Sequence, residues 1–181
     1  MSKIAGILLG IFLALGAAQA QIPTSGNIFV GYSFSQAETS PTTNLNGWEA
    51  SLEGKFLPWV GIVGDFGATY GTSLVTFPCP PNVFRCGTVN SDVKRYTYLF
   101  GPRVSVPVGR FTPFAQFFIG AAHINSFGST DNSFATAIGG GLDYRLIHGL
   151  AVRLQGDDIH TNFFSIGENH IRFSAGIDLR F

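Results

Sequence analysis

The stretch His170-Ile171-Arg172-Phe173-Ser174-Ala175-Gly176-Ile177-Asp178-Leu179-Arg180-Phe181 decides the fold. Successive side chains of an extended chain point to opposite faces. Ile171, Phe173, Ala175, Ile177, Leu179 and Phe181 therefore share one face, and His170, Arg172, Ser174, Gly176, Asp178 and Arg180 share the other. One face suits hydrocarbon, and the other needs partners or water.

The same period of two recurs upstream. Trp48, Ala50, Leu52 and Phe56 oppose Glu49, Ser51, Glu53 and Lys55. Ile62, Phe66, Ala68 and Tyr70 oppose Asp65 and Thr69, and Tyr96, Tyr98, Phe100 and Val104 oppose Arg95, Thr97 and Arg103. Ile138, Leu142 and Tyr144 oppose Asp143 and Arg145, and Val152 and Leu154 oppose Arg153, Gln155 and Asp157. Turn signals at regular intervals divide the chain into eight strands, near 27–36, 46–57, 60–72, 93–106, 111–124, 134–146, 149–160 and 168–181. At ~3.3 Å per residue and ~40° tilt, strands of this length cross an apolar band of ~25 Å. The fifth strand, Pro113 to His123, is apolar on both faces, and its register stays unassigned.

Composition agrees with strands in lipid. Of the 181 residues 45% are hydrophobic and only 12% charged, with 18 Phe and 23 Gly. After residue 20 no run reaches the ~18 apolar residues of a membrane helix. Eleven basic and eleven acidic residues leave no net charge, which argues against nucleic acid as a partner. The first twenty residues read as a signal peptide: Lys3, an apolar run from Ile4 to Leu15, and the small-x-small site Ala18-Gln19-Ala20. Cleavage falls at about Gln21, leaving 21–181 as one barrel domain; the alternative is an uncleaved anchor.

A soluble sandwich or lipocalin-like fold also alternates, but two features favour an all-β, closed, antiparallel transmembrane barrel. The apolar faces carry large aromatics, with Trp48, Trp59, Tyr70 and Tyr144 near strand ends, where an aromatic girdle belongs. The connections also alternate in length. Short links at 57–59, 107–110 and 147–149 face longer ones at about 36–46, 73–92, 124–133 and 160–167. Short turns on one rim and long loops on the other is the outer-membrane pattern, with both termini on the periplasmic side.

Several short motifs, in order, carry a resemblance. They are Gly31-Tyr32-Ser33, Leu99-Phe100-Gly101-Pro102-Arg103-Val104-Ser105, Pro113-Phe114-Ala115, Gly139-Gly140-Gly141-Leu142-Asp143, Arg153-x-Gln155 and Ser174-Ala175-Gly176-Ile177-x-Leu179-x-Phe181. Together they resemble the small outer-membrane β-barrel domain family, related to the transmembrane domain of OmpA and to opacity and Ail-type surface proteins. The resemblance implies an eight-stranded barrel with roles from envelope integrity to adhesion. It also implies that the strand ending in Phe181 is the assembly signal read by the barrel-assembly machinery.

Candidate functional residues follow from the alternation. Glu49, Glu53, Asp65, Asp143, Asp157 and Asp178 share the inner face with Lys55, Arg95, Arg103, Arg145, Arg153, Arg172 and Arg180. An eight-stranded interior is just wide enough for side chains, so these charges are expected to pair as a polar plug; a gated pore or proton path is the alternative. Cys79 and Cys86, the only cysteines, are expected to form a disulfide in the longest loop, presenting Val83, Phe84 and Arg85 to a surface ligand. His123, His148, His160 and His170 show no metal-ligand spacing and read as rim or lumen residues. Lipid A deacylases carry a His-x-Ser-Asn motif; His123-Ile124-Asn125-Ser126 breaks that spacing, and His170 with Ser174 is a weak cross-strand alternative. Gly139-Gly140-Gly141 lacks the Lys of a phosphate loop and reads as a site of close strand packing. The expectation is a non-enzymatic outer-membrane barrel without cofactor or metal, serving envelope integrity. A surface adhesin acting through its loops is the second reading, and a narrow channel the third.

Overall fold

A computed structural model describes residues 25–37, 43–76, 88–126, 129–163 and 166–181. The signal-peptide expectation and the Cys79–Cys86 expectation both fall outside the described residues.

The eight strands are β1 (Gly26–Ala37), β2 (Thr43–Leu57), β3 (Val60–Thr76), β4 (Thr88–Ser105), β5 (Phe111–Ser126), β6 (Ser129–Ile147), β7 (Leu150–Phe163) and β8 (Ile166–Arg180). Each pairs antiparallel with the next, and β1 pairs with β8, closing an up-and-down barrel. Closure satisfies every edge strand, which is what lets a sheet stand in hydrocarbon.

The register sets the barrel's shape. A ladder leaving Ser35 passes Arg172, Asp157, Gly139, Gln116, Arg103, Gly61 and Lys55. The Lys55 amide then donates to the Ser25 carbonyl, ten residues down the strand where the ladder began (35 − 25 = 10). Eight strands with a shear of ten tilt by about 40° and leave a lumen that side chains can fill.

Two of the three turns on one rim pass through a left-handed glycine. Gly109 and Gly149 have φ of 63° and 82°, the left-handed region that glycine enters without a Cβ penalty. The opposite rim differs from the expectation. The strands run on through most of the segments read as loops, and the connections left are 38–42, 77–87, 127–128 and 164–165. Alternation weakens there because the polar and apolar faces exchange sides, as described below, so sequence patterning ends the strands too early.

β5 receives its register from its neighbours. Thr112, Phe114, Gln116, Phe118, Ala122 and Ile124 turn inward, and Pro113, Ala115, Phe117, Ile119 and Ala121 turn outward. The tightest glycines face the lumen. A Cβ on Gly139 would strike the Asp157 carboxylate, and one on Gly141 the Phe114 ring. Gly67 likewise leaves space 3.1 Å from the Arg172 guanidinium. The Gly-rich stretch of β6 therefore makes room for luminal side chains.

Candidate functional site

The lumen is filled in layers. Nearest the short-turn rim, Arg153 donates to Asp143 at 2.7 and 2.9 Å and pairs with Asp178 at 3.0 Å. Arg180 pairs with the same two carboxylates at 2.8 and 3.0 Å. Arg103 pairs with Glu53 at 3.1 Å and donates to Gln116 at 2.9 and 2.6 Å, while Asn27 donates to Glu53 at 3.1 Å. Arginine forks suit such shared carboxylates because their donors are planar and fixed.

The next layer centres on Arg172. Its guanidinium contacts Asp65 at 2.9 Å, Asp157 at 2.8 Å and Glu49 at 3.4 Å. Gln155 and Ser174 donate to Glu49, and Gln116 donates to Asp157, joining the two layers. Three carboxylates meet one guanidinium here, all sealed from solvent.

Aromatic rings complete the ionic layers. The Arg103 guanidinium lies 4.5 Å from the Phe114 ring centroid, and Arg153 lies 4.9 Å from Phe114 and 5.2 Å from Phe29. Cations over ring faces gain electrostatic attraction that grows with desolvation. The paired luminal charges thus stand against aromatic walls that the alternation alone had not assigned. Thr112 and Gln116, the two polar residues of 111–122, share a parity and would have oriented β5, exposing Phe114 and Phe118 as inward.

Toward the other rim the lumen turns apolar. Leu45, Val93, Phe118, Ala122, Ile124, Ala135, Ala137 and Ile159 join one buried cluster with Val63 and Leu99. Arg95 and His170 are also buried in this part of the barrel. His170 has no hydrogen-bond partner among the described residues, and the Ser174 hydroxyl is committed to Glu49, so the two form no hydrogen-bonded dyad.

Two candidate charges lie apart from the network. Arg145 is exposed on the short-turn rim and donates to the Gly109 carbonyl at 3.1 Å. Lys55 is half-buried and reaches the Ser105 hydroxyl at 3.5 Å. Parity assigned both inward: Lys55 stands at the lumen mouth against buried Ser105, whereas Arg145 is exposed at its strand end. Phe181 is exposed at the same rim, and its backbone exchanges hydrogen bonds of 2.9 and 3.0 Å with Gly26.

The outer surface changes in the opposite sense. Ile28, Leu52, Phe66, Phe100, Phe117, Ile138, Leu154, Phe173 and Ile177 form an apolar belt, edged by exposed Trp48, Trp59, Tyr70 and Tyr144. Ala68 lies on this face but is covered between its ladder partners Trp48 and Tyr96. Beyond the belt, toward the 38–42, 77–87, 127–128 and 164–165 connections, the outward positions become Asn44, Asn46, Lys94, Asn125, Asn132, His160, Asn162 and Asn169. In β7, Val152 and Leu154 face out below Asp158 and His160, while Arg153, Gln155 and Asp157 face in below Ile159. The barrel reverses its polarity along its axis without a register slip. Among the described residues, no group of three His, Cys, Asp or Glu side chains is arranged to hold a metal.

A closed eight-stranded meander, apolar outside and ionic inside over a membrane-width belt, is the small transmembrane β-barrel of the outer-membrane type. Solved structures of that class share its fold. Ail, the attachment invasion locus protein of Yersinia pestis, is 17% identical, with TM-score 0.54, over 87% of this chain and 98% of that one. Neisserial surface protein A is 12% identical, with TM-score 0.63, over 86% and 97%. The N-terminal barrel domain of Pseudomonas aeruginosa OprF is 11% identical, with TM-score 0.51, over 86% and 99%. At these identities the likeness is one of fold. No protein-family model and no curated protein matches the chain.

Proposed function

We propose that this protein is a non-enzymatic structural barrel of the outer membrane that supports envelope integrity and passes no solute. The observation that carries the reading is the doubly sealed lumen. The cross-linked layers of Arg172 and Arg153 block one part of it, and the apolar cluster around Phe118 blocks the other. In this reading the chain is exported by a cleaved signal peptide, inserted by the barrel-assembly machinery, and set with its short turns and termini in the periplasm.

Conductance tests it. Purified protein that shows the heat-dependent gel mobility of a folded barrel is expected to give no stable single-channel steps in planar bilayers. Regular, sizeable steps in the unmutated protein would overturn the sealed-lumen reading and make the luminal charges a selectivity lining.

A second reading, surface binding through the loops, has two supports. The described strands extend past the apolar belt, with Asn44, Asn46, Asn125 and Asn169 exposed beyond it. Ail, of like fold at TM-score 0.55 and 17% identity, has been solved with the heparin analogue sucrose octasulfate. The segment holding Cys79 and Cys86 is the natural contact element, and its deletion should abolish any surface binding while leaving insertion intact.

A further inference from the structure

From the collar above the apolar belt we infer a binding surface for the sugar headgroups of a membrane glycolipid, carried by side-chain amides rather than by charge. The inference deepens the outer-membrane reading and rests on it. The collar is built from Asn44, Asn46, Asn125, Asn132, Asn162 and Asn169, all exposed on the outer face. They begin where the belt stops on the same strands: Asn46 follows Trp48 on β2, and Asn169 follows Ile171 on β8. Five of the eight strands, β2, β5, β6, β7 and β8, thus place an Asn outward beyond the belt, beside His123, Asp158 and His160.

An amide side chain both donates and accepts hydrogen bonds, as a sugar hydroxyl does, whereas ammonium groups only donate and carboxylates only accept. The collar's charges are sparse and mixed: Lys94 stands beside exposed Asp92, and Asp158 lies on β7. Such a surface offers no field for phosphate. The opposite rim contrasts with it: Arg110, Arg145 and His148 are exposed there, and among the described residues no exposed side-chain carboxylate lies near them.

The collar is also held in place before any ligand arrives. The Tyr32 hydroxyl donates to Asn46 at 2.6 Å, across β1 and β2. His123 pairs with Asn132 at 2.7 Å across β5 and β6, and His160 pairs with Asn169 at 2.6 Å across β7 and β8. Three of the four hairpins thus repeat one device, a ring-bearing side chain fixing an amide on the neighbouring strand. Behind them the wall is packed by Leu45, Ile124 and Ile159, so the amides stand on a stiff support and lose little freedom on binding. Tyr70 and Tyr96, 6.2 Å apart between centroids, add ring faces against which sugar rings can lie.

The experiment uses the full chain in nanodiscs of phosphatidylcholine, with or without deep-rough lipopolysaccharide, and counts retained glycolipid by native mass spectrometry. The test variant carries Asn46→Ala, Asn125→Ala, Asn132→Ala and Asn169→Ala together. The unmutated protein is expected to retain lipopolysaccharide in preference to phosphatidylcholine. The variant is expected to lose roughly tenfold in retention, about 1.4 kcal/mol. Raising sodium chloride from 0.1 to 1 M shortens the screening length from about 10 to about 3 Å and should leave retention unchanged. Equal retention by both proteins overturns the inference, as does retention abolished by salt, which would assign binding to charge. Free core oligosaccharide at millimolar concentration is expected to displace part of the retained lipopolysaccharide; no displacement would assign retention to the acyl chains and overturn the inference. Loss of the heat-dependent gel shift in phosphatidylcholine alone would count against the barrel reading itself, and so is distinguishable from failure of the collar.

Discussion

Around Arg172 the barrel interior holds Asp65, Asp157 and Glu49 at ion-pair distance, whereas around Ile159, two residues beyond Asp157 on β7, it belongs to a cluster with Leu45, Ala135, Ala137 and Ile124. Both regions are sealed, so burial alone does not distinguish them. The difference lies outside the wall. Where hydrocarbon surrounds the barrel, polar side chains have only the lumen to occupy, and buried charges must find one another. Where the wall stands in a polar layer, the outside takes the amides and the inside becomes an ordinary apolar core. Arg95 and His170 face inward in this part as well, together with the buried hydroxyls of Thr69, Thr97, Ser133 and Thr161.

The comparison can be broken most severely at its ionic side. Arg172→Ala leaves three buried carboxylates without their cation, and unfolding by urea in lipid should show a loss of about 3–5 kcal/mol, the usual result of removing one partner of a buried ion pair. A loss under about 1 kcal/mol would mean that water reaches the layer and solvates the carboxylates. Leu154→Arg, outward at mid-belt, should cost about 2–4 kcal/mol if hydrocarbon bathes this face. A neutral outcome in the same unfolding assay would place the membrane elsewhere on the wall.

Smaller changes sharpen the apolar side. Ile159→Val removes one methylene from a packed cluster and should cost about 0.5–1.5 kcal/mol, as in the core of a soluble protein. Asn162→Ala, in the collar and outside the three cross-strand pairs, should stay within about 0.5 kcal/mol in phosphatidylcholine, because exposed substitutions away from special features are near neutral. A larger effect there, without glycolipid present, would assign the collar a structural role.

Much of this was legible from residue order. In β8 the split between Ile171, Phe173, Ile177 and Leu179 outside and Arg172, Ser174 and Asp178 inside is the alternation seen in the chain. Most of the luminal charges could be named in the same way, since parity along a strand is strict. Three things were missed. β5 is nearly apolar on both faces, because Phe114 serves as a ring beneath Arg103 and Arg153 rather than as a lipid contact, so only the shared parity of Thr112 and Gln116 marked its inner face. Strand ends beyond the belt were cut short, because Asn44, Asn125 and Asn132 resemble loop residues when solvent lies outside the wall. Arg145 kept the inward parity yet is exposed at its strand end, which depends on where the barrel ends.

The amino-acid order by itself determined that the chain forms amphipathic strands and that eight of them fit one wall, because side-chain parity is a local property of extended backbone. Only the closed structure decided which charges meet. Arg172 on β8 finds Asp65 on β3 across the lumen, 107 positions away in the chain, because a shear of ten brings those strands to a common depth. It also decided where the wall exchanges its polar and apolar faces, because that boundary is set by the depth each residue reaches on a tilted barrel, and depth depends on every strand pairing at once.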